Sequence, residues 1–240
     1  MALLFPYIQG MKNMLLLSNS RMPGREYLEH AVEAIAETLG EAKKVVLIPY
    51  ASVTIVWDST AKNVRKGLEA LGKEITAIHH LKDPIAALKE ADAIMVNGGT
   101  TFNLLHHLRR KELIVPLRNE ILKGKPYVGW SAGSGICAPT IRTTNDMPII
   151  DAGGMDALGV IDFQLNAHYT NAVPEGWMGE TRDQRLAEFL HANPAMPVFA
   201  LPEGDWLRVR GEEITLHGAF DGKWFRAGQE AQAVPPGTRI

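Results

Sequence analysis

A serine between two glycines follows a short apolar segment in the stretch VGWSAGSGICAP, residues 128–139. The G-x-S-x-G spacing around Ser131 is typical of a sharp strand-to-helix turn that exposes a serine hydroxyl as a nucleophile. The same residue types also occur in ordinary turns, because glycine and serine are common wherever a chain changes direction. Ser131 is therefore a candidate nucleophile only if other parts of the chain supply a base and an acid.

His168 and Glu203 are candidate partners for this serine. His168 ends the segment FQLNAH and Glu203 follows VFALP, and both segments have the composition of buried strands. A serine needs a base that takes its proton, and the base needs a carboxylate that orients it and stabilises the imidazolium. Because functional groups gather beyond the carboxyl ends of parallel strands, Ser131, His168 and Glu203 are expected to meet at one edge of a sheet.

Two backbone amides are candidates for an oxyanion hole, the pair of donors that stabilises negative charge in the transition state. Ala132 comes first in the turn after the serine, and Gly99 lies in the segment NGGTT after another apolar run. Glycine allows a backbone to approach a ligand closely. The alternative for NGGTT is a helix start capped by Thr100 or Thr101, and the two interpretations are compatible.

The remaining histidines and the cysteine do not indicate a metal site. His79 and His80 would point to opposite faces of a predicted strand, and His106 and His107 would lie about 100° apart on a helix, so neither pair is expected to bind one ion. No H-E-x-x-H motif or Cys/His ligand spacing occurs. We therefore expect no metal, with Cys137 as a small core residue.

Short apolar segments alternate with amphipathic stretches along most of the chain, a pattern that predicts an α/β fold with a mostly parallel sheet and helices on both faces. Five strands are predicted at 14–17, 44–50, 74–79, 92–99 and 126–130, with helices at 24–40, 58–71, 83–91 and after 101. Further strands are predicted in FQLNAHYT and PVFALPEG, a helix in TRDQRLAEFLHAN, and hairpins after residue 206 with turns at Gly211 and at Asp221-Gly222.

Net charge and cysteine content indicate which binding partners and which cellular compartment to expect. The 240 residues carry a net charge of −2, so there is no basic field for nucleic acid and no polybasic stripe for a membrane surface. The single cysteine cannot form an intrachain disulfide, which fits a reducing compartment, and we expect a cytoplasmic protein. The first ten residues lack the features of a secretion signal. We expect residues 1–10 to be a non-native or disordered extension before a working start at Met11, with one domain over 11–240.

Five groups of residues carry a resemblance to a known family: LLLSNS, GGTTFNLL, GWSAGSGICAPTIRTTNDMPI, NAVPEG with GETRDQR, and LPEGDW. In this order they resemble the peptidase E family of bacterial aspartyl dipeptidases, from about Met14 to the C-terminus. The resemblance implies a three-layer α/β/α sandwich similar to class I glutamine amidotransferase domains. It also implies a serine exopeptidase, without a cofactor, that removes N-terminal aspartate from Asp-X dipeptides. The segment NGGTTF departs from the family pattern GGGNTF at Asn97 and Thr100.

The family pattern implies roles for individual residues. Ser131 matches the nucleophile, His168 the base and Glu203 the third member, while Asp146 in TTNDMP matches a family aspartate that could orient the histidine instead. Selectivity for aspartate requires a cation at the substrate carboxylate, and the planar fork of arginine suits that task. Arg182 in GETRDQR is the first candidate by resemblance and Arg142 in TIRTTND the second. The alternative for Arg182 is an exposed residue in the first turn of a helix.

The expected partner is therefore a small Asp-X peptide, and the protein is expected to be a monomer or a small homo-oligomer. Two other functions fit the same residues. One is cyanophycinase-like hydrolysis of β-linked aspartyl peptides, which uses a similar fold and nucleophile. The other is a protein that binds aspartyl peptides without turnover. A substrate panel and the reactivity of Ser131 toward a serine-directed phosphonate distinguish these functions.

Overall fold

The structure is a computed structural model that describes residues 11–240. The predictions for residues 1–10 lie outside the described residues. The strands are β1 (Asn13–Leu17), β2 (Lys44–Ile48), β3 (Glu74–Ala77), β4 (Ala93–Val96), β5 (Tyr127–Trp130), β6 (Gln164–Tyr169), β7 (Val198–Pro202), β8 (Trp206–Arg210), β9 (Glu213–His217), β10 (Gly222–Phe225) and β11 (Gln232–Val234). The helices are α1 (Val32–Leu39), α2 (Trp57–Gly67), α3 (Pro84–Glu90), α4 (Thr101–Arg110), α5 (Ile114–Leu122), α6 (Ala132–Gly135) and α7 (Arg182–Ala192).

A seven-stranded sheet forms the centre of the molecule, in the order β3-β2-β4-β5-β1-β8-β9. The first five strands run parallel, and the β8–β9 hairpin adds two antiparallel strands beside β1. Gly129 in β5 lies level with Leu16 in β1 and with Val96 in β4, so the three strands end close together.

This edge of the main sheet carries Ser131 and Gly99. His168 lies in β6 and Glu203 directly after β7, and both strands belong to a separate sheet, so the expectation that Ser131, His168 and Glu203 would meet at the edge of one sheet was wrong.

Side chains of the central strands alternate between two cores, as the two-residue period of a strand requires. In β1, Leu15 and Leu17 pack into the core that includes residues of α1 and α2, whereas Met14 and Leu16 pack into the core that includes residues of α3, α4 and α5. All four side chains are fully buried. The predicted three-layer α/β/α arrangement with a mostly parallel sheet is confirmed.

A second sheet, in the order β11-β10-β7-β6, shares its core with the face of the main sheet that α3, α4 and α5 cover. The hairpin at Gly211 forms as predicted, but the predicted turn at Asp221-Gly222 does not pair β10 with β9. Instead β10 pairs with β7 and β11. Aromatic packing accounts for this pairing, because the Trp224 ring contacts the Phe199 ring at a centroid distance of 5.1 Å and the Phe163 ring at 5.0 Å.

Several predicted boundaries were wrong for local reasons. The strand predicted at 74–79 ends at Ala77 and continues as a 3-10 turn over Ile78–His80. The helix predicted from residue 24 begins only at Val32, because Leu28 has the left-handed φ of 62° and a 3-10 turn follows it. The sequence pattern missed α5, whose Pro116 lies in the first turn, where a helix tolerates proline.

The prediction for α3 was correct in its capping. Asp83 accepts a hydrogen bond from Ala86 N at 2.9 Å, and Pro84 occupies the first helical position.

Within residues 11–240, every helix is too short or too polar to cross a bilayer.

Candidate active site

Ser131 lies directly after β5, at the edge where β1 and β4 also end. Its backbone N donates a hydrogen bond to Leu17 O at 3.0 Å, which ties the serine to the end of β1. Its φ of 53° and ψ of −113° are unusual for a residue with a side chain. Strained backbone of this kind is concentrated at functional sites, where the surrounding structure enforces it.

Two glycines and a second serine enforce the turn around Ser131. A Cβ on Gly133 would lie 2.1 Å from Val96 O, and a Cβ on Gly129 would lie 2.4 Å from Gly133 O. Only glycine therefore lets β5 and α6 pack this closely on the end of β4. The buried hydroxyl of Ser134 lies 2.9 Å from Gly129 O and 2.7 Å from Leu17 O, so it links the start of α6 to the ends of β5 and β1.

We expect Gly133→Ala to destabilise the protein by about 3 kcal/mol or more, because the new methyl group would overlap Val96 O in a core that cannot expand. Urea unfolding measures this cost. Gly135→Ala is the matched control, since a Cβ there meets nothing within 4 Å and its unfolding free energy should change little. Equal stability of the two variants would contradict the packing argument.

His168 also has a left-handed backbone, with φ of 54°, near the end of β6. The pairing of β6 with β7 shifts register between Asn166 and Tyr169, so the histidine lies in a β-bulge, a feature that redirects a side chain. Its N donates to Ser18 Oγ at 2.8 Å, and that hydroxyl donates to Leu201 O at 2.9 Å. Ser18 thereby holds the bulge between β1 and β7.

Glu203 contacts the histidine directly. Its Oε1 lies 2.6 Å from His168 Nδ1. A carboxylate can only accept a hydrogen bond, so Nδ1 carries the proton and Nε2 is left free to accept one. The side chains are partly exposed, 39% for His168 and 58% for Glu203.

The loop around Glu203 is anchored on both sides. Gly204 N donates to Asn19 Oδ1 at 2.9 Å, and Asp205 O accepts from Ser18 N at 3.0 Å. The carboxylate of Asp205 accepts from Ala219 N at 2.8 Å, and burial raises the pKa of Asp205 to about 6. Residues after β1 thus position both the histidine and its carboxylate.

Asp146 occupies a different position from the one that would orient the histidine. Its Oδ2 accepts hydrogen bonds from Thr101 N at 2.6 Å and from Thr144 Oγ1 at 3.0 Å, so it binds the amide at the start of α4. Asp146 still lines the cavity beside Ser131 and His168. Glu203 therefore contacts the histidine, whereas Asp146 contacts the backbone of Thr101, two residues after Gly99.

The two candidate oxyanion donors line two openings at Ser131, Gly99 the larger one and Ala132 the smaller one. Gly99 has φ of 142°, and a Cβ there would lie 2.4 Å from Ala51 O. Ala132 begins α6, where the first amides have no partner within the helix. Neither amide donates to another residue in the described part of the chain. Thr100 forms no side-chain cap on α4, so the capping alternative for this segment is wrong for Thr100.

Two openings meet at the serine and the histidine. The larger is a cleft of about 520 Å³, within the range of small-molecule sites, that reaches Gly98, Gly99 and Arg21. The smaller is lined by residues of the 140–146 loop. Ser131 and His168 line both openings, and no hydrogen bond joins their side chains in the described structure. Contacts of this kind often tighten only when substrate binds.

The arginines are distributed differently from the sequence prediction. Neither Arg182 nor Arg142 is among the residues that line the two openings. Arg142 is exposed and donates to Asn193 Oδ1 at 3.2 Å, beyond the end of α7. Arg182 is half-buried at the start of α7 and its guanidinium has no hydrogen-bond or ion-pair partner among the described residues. Burial lowers the pKa of Arg182.

Sequence reasoning missed Arg21. It follows LLLSNS, and its guanidinium lies 5.2 Å from the centre of the Tyr27 ring, in cation–π range. Among the described residues that line the two openings, Arg21 is the one lysine or arginine. Its position after the first strand was the available signal, because β1 ends at the same edge as β5.

His79 and His80 do not point to opposite faces of a strand, so that prediction was wrong. Both lie in the 3-10 turn after β3 rather than on a strand, and their Nε2 atoms lie 2.9 and 2.7 Å from the same oxygen, Asp58 Oδ1. A strand would have directed the two side chains to opposite faces, whereas the tighter turn lets them converge.

The chain is similar to known peptidases over most of its length. The profile of Peptidase family S51 matches residues 14–217. Proteins named Peptidase E from Salmonella paratyphi A and Salmonella typhimurium are 46% identical to this chain over 227 residues, which cover 95% of this chain and 99% of theirs.

Solved structures show the same fold. A crystal structure of a peptidase E protein from Listeria monocytogenes has a TM-score of 0.63 and 25% identity, and it covers 87% of this chain and 99% of its own. The structure of a peptidase from an acI-B1 Actinobacterium has a TM-score of 0.69 and covers 97% of this chain and 98% of its own, at 16% identity. The profile match and the Salmonella relatives together establish that this chain belongs to peptidase family S51.

Proposed function

We propose that this chain is a serine dipeptidase that hydrolyses peptides with an N-terminal aspartate, Asp-X, through an acyl-enzyme on Ser131. One observation carries the proposal. Glu203 occupies Nδ1 of His168, while His168 and the strained Ser131 line the same cleft. This arrangement provides a nucleophile, a base and an orienting acid for acyl transfer. Membership of a peptidase family supports peptide hydrolysis as the reaction.

The proton transfers follow from this geometry. His168 Nε2 takes the hydroxyl proton as Ser131 Oγ attacks the peptide carbonyl, and Glu203 stabilises the resulting imidazolium. The imidazolium then protonates the departing amine of residue X, which breaks the peptide bond and leaves an aspartyl ester on Ser131. Water, deprotonated by His168, attacks the ester and breaks its bond to Ser131 Oγ; aspartate is released, and the imidazolium returns the proton to Oγ.

Gly99 N and Ala132 N are the proposed donors to the oxyanion. Both amides lack an acceptor in the described structure. Ala132 follows Ser131 in the chain, and Gly99 lines the same cleft as Ser131. Donors that are already in place cost no reorganisation when negative charge develops on the carbonyl oxygen. In this proposal Asp146 acts indirectly, because it holds Thr101 N at the end of the Gly99 loop.

The substrate carboxylates require cations. Arg182 lines neither opening, so its proposed role at the aspartate side chain rests on the family resemblance and on a half-buried guanidinium that has no partner among the described residues. Arg21, which lines the cleft, is proposed to bind the terminal carboxylate of residue X. Two cations for two carboxylates explain why a short acidic dipeptide would be the preferred substrate.

A panel of four peptides tests the proposed function: Asp-Leu, Asn-Leu, Glu-Leu and N-acetyl-Asp-Leu, each with a metal chelator present. Hydrolysis of Asp-Leu alone supports an aspartyl dipeptidase that needs a free amine and no metal. No hydrolysis of any of the four contradicts the proposal. In that case β-linked aspartyl-arginine is the next substrate to assay, and labelling of Ser131 by a phosphonate distinguishes an enzyme from a binding protein.

We expect Arg182→Leu to reduce the preference for Asp-Leu over Asn-Leu in kcat/KM. Charged hydrogen bonds contribute about 1.5–3 kcal/mol, which is roughly 10- to 150-fold. Arg21→Leu is the matched variant, and it should instead reduce the preference for Asp-Leu over Asp-Leu amide, which lacks the terminal charge. If Arg182→Leu leaves the Asp-Leu preference unchanged and Arg21→Leu removes it, Arg21 binds the aspartate side chain.

The compartment proposed for this reaction is the cytoplasm. Cys137 is fully buried, and burial raises the pKa of its thiol to about 12. A buried thiol with such a pKa is unreactive, and the chain contains no second cysteine for an intrachain disulfide. A reducing compartment suits this composition.

A further inference from the structure

We propose that Asp58, His79 and His80 form a binding site for one divalent transition-metal ion of the zinc type, separate from the peptidase site. Their ligand atoms all lie within 4.8 Å of one another. The donors are two imidazole nitrogens and one carboxylate oxygen, a set that zinc and its neighbours in the first transition row prefer.

The geometry needs only a small adjustment to accept an ion. The two Nε2 atoms lie 2.9 and 2.7 Å from Asp58 Oδ1. Ligands about 2.0–2.1 Å from a tetrahedral zinc ion are separated by about 3.4 Å, so each contact must open by roughly half an ångström. Asp58 and His80 are 68% and 51% exposed, so their side chains can make this movement.

The Asp58 carboxylate is available to a cation. No lysine or arginine within residues 11–240 forms an ion pair with Asp58, and both imidazoles converge on a single oxygen of it. One metal ion would satisfy the three donors together, with water at its exposed side. His79 Nδ1 is buried without a hydrogen-bond partner, so the site lacks one supporting contact that usually strengthens metal binding. Moderate affinity is therefore expected.

The site would join two segments that are close in space and distant in sequence. Asp58 lies in the first turn of α2, and the histidines lie in the 3-10 turn after β3, 21 and 22 positions later. The neighbouring Trp57 packs on the His79 ring, with centroids 5.4 Å apart, and donates to Ser52 O at 3.3 Å. Ser52 lines the cleft that contains Ser131. Bound metal would thus stabilise a segment that leads to the cleft.

The full chain is first dialysed against a chelator and then against buffer without it. Zn²⁺ is titrated into the protein by calorimetry, and in a second experiment Co²⁺ is titrated while visible absorption is recorded. We expect one ion per chain and the absorption bands of Co²⁺ bound to nitrogen. Asp58→Asn and His80→Gln should each weaken binding at least tenfold, since even second-shell changes cost 10- to 100-fold. His106→Gln is the control, because that ring contacts Asp151 O and lies outside the cluster.

Three results would overturn the proposal: no saturable binding of either ion, unchanged binding in both Asp58→Asn and His80→Gln, or binding that is lost in His168→Gln instead. The last result would place the ion on the peptidase site. Circular dichroism and the thermal midpoint check that each variant is folded, and Zn²⁺ should raise the midpoint of the wild type more than that of the cluster variants. Hydrolysis of Asp-Leu in chelator is measured separately, so failure of either proposal does not affect the other.

Discussion

Ser131→Ala is expected to lower kcat for Asp-Leu on the order of 10⁶-fold if the proposed nucleophile is correct, as loss of the serine nucleophile does in subtilisin. The free energy of unfolding should change little, because Ser131 Oγ makes no hydrogen bond in the described part of the chain. Alanine must adopt the same strained backbone as serine, so the strain does not distinguish the two proteins. Initial rates measured with a continuous assay for released leucine, together with the thermal midpoint, test both halves of the prediction.

Ser134→Ala is the matched control for this experiment. It removes a buried hydroxyl from the same motif, three residues along, and leaves Leu17 O and Gly129 O without that donor. We expect it to cost about 1–3 kcal/mol of unfolding free energy while most of the peptidase activity is retained. A Ser131→Ala protein with substantial activity, or a Ser134→Ala protein that is stable but inactive, would contradict the assignment of the nucleophile.

Glu203→Gln is expected to lower kcat on the order of 10³- to 10⁴-fold, because glutamine cannot stabilise the imidazolium and can favour the wrong tautomer of His168. The 2.6 Å contact between Glu203 Oε1 and His168 Nδ1 is the basis of this prediction. KM should change much less than kcat, since Glu203 contacts the histidine rather than the proposed substrate. Steady-state kinetics on Asp-Leu separates the two parameters.

Asp146→Asn serves as the comparison, because Asp146 is the other carboxylate that the family pattern offers. Asp146 accepts hydrogen bonds from Thr101 N and Thr144 Oγ1 and so stabilises the start of α4. We expect Asp146→Asn to lower the free energy of unfolding by about 1 kcal/mol and to lower kcat less than Glu203→Gln does. A larger kcat loss in Asp146→Asn than in Glu203→Gln would reverse the two roles.

The elements around the site were predictable because they depend on short, repeating patterns. Four apolar strands follow from composition and from the glycine or polar residues that interrupt it. The predicted ends at Leu17 and Trp130 agree with the structure, whereas the strands predicted to end at residues 50 and 99 end at Ile48 and Val96. Boundaries failed where backbone conformation deviated from the pattern. Leu28 at φ of 62° delays α1, and no periodicity in the sequence indicates a left-handed leucine.

Local sequence also determined which residue types could do chemistry. The glycines around Ser131 are required by carbonyls within about 2.4 Å of their missing Cβ atoms, so the G-x-S-x-G spacing has a packing cause as well as a chemical one. Ser131, His168 and Glu203 could be identified as candidates from the sequence because each lies at the end of a strand-like segment.

Tertiary structure alone decided which side chains meet. In the sequence Glu203 was the first candidate for the carboxylate and Asp146 the alternative, and the contact between His168 and Glu203 depends on the bulge in β6 that Ser18 holds. Arg21 entered the cleft, and His79 and His80 converged on Asp58, through packing between segments far apart in the chain. The sequence by itself determined the strands, the tight serine turn and the set of reactive residues, because these depend on neighbours along the chain. Distances between side chains depend on how the two sheets and their loops pack, and no local pattern records that.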